Sequence, residues 1–183
     1  MVFWKEISPG SDAPKTVNTI IECPKGTQNK YEVSKSANIL ILDRVLHSSV
    51  IYPHDYGFIP GTFAEDDDPL DILVLISHPT YPFTLVKTKP IGILIMEDEK
   101  GLDEKVLAVA STDPFYQNYD DIVQLPIHYL DEIQEFFRTY KNLEEKTYAT
   151  VKEWKGRDYA HMVIQECIDR FKKKFGDTAL LNP

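Results

Sequence analysis

The run Asp66-Asp67-Asp68-Pro69-Leu70-Asp71-Ile72-Leu73-Val74-Leu75-Ile76 sets four carboxylates in six positions directly against an unbroken apolar segment. An ordinary solvated acidic loop does not usually abut a strand that must lie in a core. With Asp71 to Ile76 read as a buried strand, a rigid element holds the acids at its mouth. Two carboxylates about 4 Å apart repel by roughly 4 kcal/mol at an effective dielectric of 20. Protons or cations must relieve that, and oxygen-only ligands suit Mg²⁺ or Mn²⁺. Taken alone, such a run more often means an acidic loop without a ligand.

Outward from this segment, the first two-thirds of the chain reads as short strands between Pro, Gly, Asn and Asp punctuation. Val17 to Glu22, Lys30 to Ser34, Ile39 to Asp43, Thr84 to Thr88, Pro90 to Met96 and Lys105 to Ala110 are the other candidates. Several are continuous apolar runs, which suits burial on both faces in a small closed barrel. After Pro126 the pattern changes. Ile127, Leu130, Ile133, Phe136, Phe137 and Tyr140 recur at spacings of three and four, predicting an amphipathic helix. A strand from about Tyr148 to Trp154 follows the Asn142-to-Lys146 connection. Beyond Gly156 a last helix carries the stripe Tyr159, Met162, Val163, Cys167 and Phe171, with Glu166 and Arg170 four apart as a modest pair. The expected class is α+β but mainly β: a small, closed OB-like barrel flanked by two helices from the C-terminal half. No repeat or linker divides residues 1–183, so one domain is expected.

With 183 residues, 43% hydrophobic and 27% charged, the chain is globular and large enough for a real core. Its net charge of −9 disfavours nucleic acid or an anionic membrane as partner. An anionic substrate would need local cations. No segment has the length of a membrane span or the pattern of a signal peptide. Cys23 and Cys167 are too few for a disulfide scaffold or zinc site. They read as reduced thiols in packed elements, which fits a cytoplasmic protein.

A second acidic stretch, Glu97-Asp98-Glu99-Lys100-Gly101-Leu102-Asp103-Glu104-Lys105, lies between two predicted strands. Alone it is a solvated hairpin loop; beside the first cluster it could help bind several cations. A third set is cationic and aromatic. Lys30 and Glu32 flank Tyr31, so both face one side of a strand. Arg44 follows Asp43, and Tyr52-Pro53-His54-Asp55-Tyr56-Gly57 is turn-like. Tyr140-Lys141 ends the first long helix, where a cation complements the helix dipole.

In this order the residues resemble family I soluble inorganic pyrophosphatases, whose signature is an acidic D-x-D-P-x-D stretch ending on a strand. The resemblance covers nearly the whole chain: Glu22, Lys30-Tyr31-Glu32, Asp43-Arg44, Tyr52 through Gly57, Asp66 to Asp71, Asp98, Asp103 with Lys105, and Tyr140-Lys141. It implies Mg²⁺-dependent hydrolysis of pyrophosphate to two orthophosphates by a metal-activated water, with several ions per site and Mn²⁺ as a substitute. It further implies that Asp66, Asp71 and Asp103 hold one metal, with Asp71 contributing to a second. Asp98 and Asp103 bind another with substrate, and Glu32 helps hold a further one. Asp68 is the general base. Lys30, Arg44, Tyr56, Lys105, Tyr140 and Lys141 grip phosphate oxygens, while Glu22 and Tyr52 support. Members form homo-oligomers, and the compact length favours a hexamer. Asp67 stands where glycine is common in bacterial members, which asks more of the local backbone.

Three other readings compete with this one. An EF-hand starting at Asp66 fails, because Leu70, Asp71 and Ser77 occupy its fifth, sixth and twelfth positions. A nucleic-acid-binding barrel would want a basic groove. A phosphohydrolase acting on a nucleotide or phosphate ester is the nearer alternative, although no P-loop or other nucleotide motif is present.

Overall fold

The computed structural model describes residues 3–34, 37–99, 101–145, 148–176 and 180–183. Lys100 of the second acidic stretch and Lys146 of the connection therefore lie outside the described residues. The strands are β1 (Val17–Cys23), β2 (Asn29–Val33), β3 (Leu40–Val45), β4 (Asp55–Phe58), β5 (Asp71–Leu75), β6 (Leu85–Asp98), β7 (Gly101–Ala110) and β8 (Ala149–Gly156). Helix α1 spans Ile127–Thr139 and α2 spans Arg157–Phe175.

Strands β1, β4, β5, β7 and β6 pair in that order, and β6 pairs back onto β1, so five strands close in a ring. β8 adds to the outer edge of β6, and β2 with β3 forms a separate hairpin. The expected closed, mainly β architecture with two flanking helices is what the chain adopts.

Strand period explains why both faces are apolar. On β5, Leu73 and Leu75 join one core cluster with Leu107, Val109, Leu94 and Met96, and α1 covers it with Leu130, Ile133, Phe136 and Phe137. The intervening Ile72, Val74, Val106, Ala108, Ile93 and Ile95 join a second cluster under Ala160, Val163, Ile164, Cys167 and Ile168 of α2. Parity also aims the polar residues. Asp71 shares its face with Leu73 and Leu75, Asp103 and Lys105 with Leu107 and Val109, and Asp98 with Leu94 and Met96. Each strand thus carries its acid or lysine out of the α1-covered core at one end of the ring.

Five expectations need correction. β4 begins inside the stretch read as turn-like, pairing with β1 and β5. Thr84 to Met96 is not two strands: β6 runs through Pro90, which is accommodated at a register shift between Pro90 and Gly92. The Glu97-to-Lys105 stretch is mostly strand, because Asp98 pairs with Gly101 and Met96 with Asp103. The α2 stripe is wider than expected and shifted at its start: Val163, Cys167 and Phe171 are buried as expected, joined by Ala160, Ile164 and Ile168, whereas Tyr159 and Met162 are 38% and 45% exposed. Correspondingly, Arg170 ion-pairs with Glu65 at 3.0 Å rather than with Glu166.

Candidate active site

Residues 59–70 carry the chain from β4 to β5, and their backbone is fixed locally. Thr62 Oγ1 donates to Ile59 O at 2.5 Å and accepts from Leu70 N at 2.9 Å. Ala64 N donates to Asp68 O at 2.8 Å, and Asp68 N to Asp66 Oδ1 at 3.2 Å. Asp67 has φ 69°, the left-handed conformation that glycine enters more cheaply. The departure from glycine thus falls where the backbone demands it most.

A cavity of about 430 Å³ opens at this end of the ring. All the predicted site residues line it except Tyr52. Tyr52 is buried behind, its ring 4.9 Å from Phe136 and 5.4 Å from Tyr56, so it supports the wall rather than facing the cavity. Trp4, Phe58, Asp43, Glu99 and Glu144 also line it. Of these five only Asp43 carries the family resemblance, and none has a role implied by it. Asp43 and Glu99 were adjacent to selected residues, and Glu144 follows Tyr140-Lys141, so position along the chain held a signal for those three.

Two bulges aim acids into the space. Ile21 pairs with Gly57 and Cys23 with Tyr56, leaving Glu22 as the extra residue on β1. Likewise Lys30 pairs with Arg44 and Tyr31 with Leu42, leaving Asp43 as the extra residue on β3. Glu22 Oε1 accepts from Val33 N at 2.7 Å. Burial pushes the Glu22 carboxyl up to about 8, against the lowering effect of the Val33 amide.

The cations are interleaved with the acids. Lys105 Nζ bonds both Asp71 Oδ2 and Asp103 Oδ1, and Tyr56 Oη donates to Asp71 Oδ2 at 2.6 Å. Burial works against the Lys105 charge, but Asp71 and Asp103 hold its pKa above the usual lysine range. Burial, opposed by Lys105, also raises the Asp103 carboxyl. Lys141 Nζ reaches Asp98 Oδ2 at 3.0 Å and Glu99 Oε2 at 3.0 Å. Lys30 ion-pairs with Glu32 and, at 3.4 Å, with Asp43. Arg44 Nη1 meets Asp43 Oδ2 at 2.5 Å, and its Nε meets Glu144 Oε1 at 2.9 Å. The Tyr140 ring stacks on Phe136 at 5.3 Å, which ties the end of α1 to the cavity wall.

Among the described residues no group of three or more His, Cys, Asp or Glu side chains is gathered as a metal cluster. Lys105 lies between Asp71 and Asp103 instead. The donor chemistry still fits hard divalent cations. Ten carboxylates and four cationic side chains line the cavity, so its negative charge is only partly balanced by protein. Such a site suits cations together with a compact polyanion, which the four lysine and arginine side chains could grip.

Comparison with known proteins agrees. Residues 19–172 match the family model described as inorganic pyrophosphatase. Soluble inorganic pyrophosphatase 2 of Chlamydomonas reinhardtii is 41% identical over 179 residues, 98% of this chain and 93% of that protein. An inorganic pyrophosphatase of Synechocystis sp. is 46% identical over 164 residues, covering 90% of this chain and 96% of the other. The crystal structure of the inorganic pyrophosphatase from Thermus thermophilus superposes with a TM-score of 0.90 at 44% identity. It spans 92% of this chain and 98% of its own.

Proposed function

The chain belongs to the inorganic pyrophosphatase family, and from that premise we propose how its residues divide the work. The reaction is hydrolysis of pyrophosphate to two orthophosphates. The carboxylate-rich cavity is consistent with a divalent metal requirement. We assign Mg²⁺, several ions per site, with Mn²⁺ able to replace it.

Asp66, Asp71 and Asp103 would hold one ion, Asp71 would share in a second, Asp98 and Asp103 would hold another with substrate, and Glu32 would help hold a further one. When bound, these ions neutralise phosphate oxygens and lower the pKa of water. Asp68 accepts the proton from the attacking water as general base. Lys30, Arg44, Tyr56, Lys105, Tyr140 and Lys141 grip phosphate oxygens and stabilise the leaving phosphate. Glu22 and Tyr52 support them. The observation that carries this reading is the excess of carboxylates over cationic side chains around one cavity.

Asp68→Asn and Asp71→Asn separate the roles. Asp68→Asn should cut turnover by roughly 10²–10⁴-fold while leaving folding and metal binding largely intact. Asp71→Asn should instead raise the Mg²⁺ concentration needed for half-maximal activity. Near-normal phosphate release by the first variant, or an unchanged Mg²⁺ titration in the second, removes the corresponding assignment.

The chain is proposed to act as one catalytic domain, supported by matches spanning 90% or more of it. A cytoplasmic setting is supported by two buried, unbridged cysteines. Among the described residues no helix is long and apolar enough to cross a membrane. We also propose a homo-oligomer, with a hexamer favoured by the compact length. The exposed apolar residues Ile41, Leu42 and Val45 on β3 suit burial between subunits.

A further inference from the structure

The acidic loop has two sides. Asp66 and Asp68 line the cavity, whereas Phe63, Glu65 and Asp67 are tied to α2. Phe63 N donates to Cys167 O at 2.9 Å. Glu65 Oε1 meets Arg170 Nη1 at 3.0 Å, and Asp67 Oδ1 meets Lys174 Nζ at 2.9 Å. Every second loop residue therefore engages α2 at 167, 170 and 174, spacings of three and four along one helix face. Aromatic packing closes the same seam: Lys174 Nζ lies 3.8 Å from the Phe63 ring centroid, and Phe63 meets Phe175 edge-on at 5.6 Å.

We propose that Arg170 and Lys174 are positioning residues: they clamp the odd-numbered face of the loop so that Asp66 and Asp68 are presented to the cavity on its even-numbered face. The inference rests on the roles assigned above to Asp66 and Asp68. Lys174 matters most because it bonds Asp67, the residue at φ 69°. An aspartate costs more than glycine in that conformation, so without the tie the loop shifts part of its population to other backbone states. An exposed ion pair alone contributes little. Here it is joined by a cation–π contact on Phe63 and a backbone hydrogen bond at Phe63, which together order a short segment.

The test combines Lys174→Ala, Lys174→Arg, Asp67→Gly and the double variant Asp67→Gly with Lys174→Ala. Two quantities are read: amide hydrogen exchange over 63–68 in metal-free protein, and the dissociation constant of Mn²⁺ used as a probe. Lys174→Ala should speed exchange in that segment and weaken Mn²⁺ binding about threefold to tenfold. Lys174→Arg should restore both. In the Asp67→Gly background the same alanine change should have at most about a twofold effect, because glycine takes the conformation without the tie. Unchanged exchange and affinity in Lys174→Ala overturn the proposal, as does an equal loss in the Asp67→Gly background. Exchange is measured without metal, so it reads the clamp wherever Mn²⁺ binds. An unchanged Mn²⁺ affinity in Asp71→Asn would fault only the site assignment.

Discussion

Lys105 ties stability to the chemistry proposed for the site. It is buried between Asp71 and Asp103, and its ammonium group offsets the charge of both carboxylates. Removing one partner of a buried ion pair commonly costs about 3–5 kcal/mol, because the remaining charges are left uncompensated. Lys105→Met should therefore lose stability on that scale in urea unfolding with a chelator present. In millimolar Mg²⁺ the loss should shrink, since bound cations would take over the balancing charge. Equal losses in both conditions would show that cations do not enter between these carboxylates. Single residues of this kind were legible in the sequence because acids clustered beside apolar strands. Their pairing was not. Nothing in the local pattern places Glu144 against Arg44, a hundred positions apart, or Lys141 against Asp98.

At the scale of elements, strand parity does most of the positioning, and the ring works only where backbones approach closely. A Cβ added at Gly57 would lie 1.9 Å from Ile20 O, across the β1–β4 pairing. Gly57→Ala should cost roughly 3 kcal/mol or more, since backbone rather than a flexible side chain would have to yield. Denaturant unfolding measures this, and a loss below about 0.5 kcal/mol would mean the pairing can relax there. β4 escaped sequence reading for a related reason. Tyr52 to Gly57 carries Pro, Asp and Gly, which locally mimic a turn, while its strand character comes from partners on either side. Pro90 likewise split β6 on paper, although a bulge absorbs its missing donor. On α2 the expected stripe holds at Val163, Cys167 and Phe171 but not at Tyr159 and Met162, which are apolar yet face outward, while small Ala160 packs inward. The buried runs at Asp71–Leu75 and on α1 were legible because their periods are strong.

For the molecule as a whole, acid response and substrate choice are the measurable consequences. His54 is buried beside Tyr129, and burial, aided by Lys25, pushes its imidazole down to about 4. Its unfolded value is near 6.5, so the unfolded chain takes up the proton first. Stability from this group is therefore lost as pH falls from about 6.5 to about 4, by about 3 kcal/mol in total, and is flat below that. Urea unfolding at pH 7 and pH 4 should show a smaller acid loss in His54→Phe than in the parent chain. An identical loss would assign the acid sensitivity to other groups. In the cavity ten carboxylates and four cationic side chains face one space, which we propose takes cations together with a small polyanion. Phosphate release from pyrophosphate, ATP and a phosphate monoester, each in Mg²⁺ with and without a chelator, decides whether it does. Rapid release from pyrophosphate alone, abolished by the chelator, is expected; release only from ATP, or chelator-insensitive release, would rule this reading out.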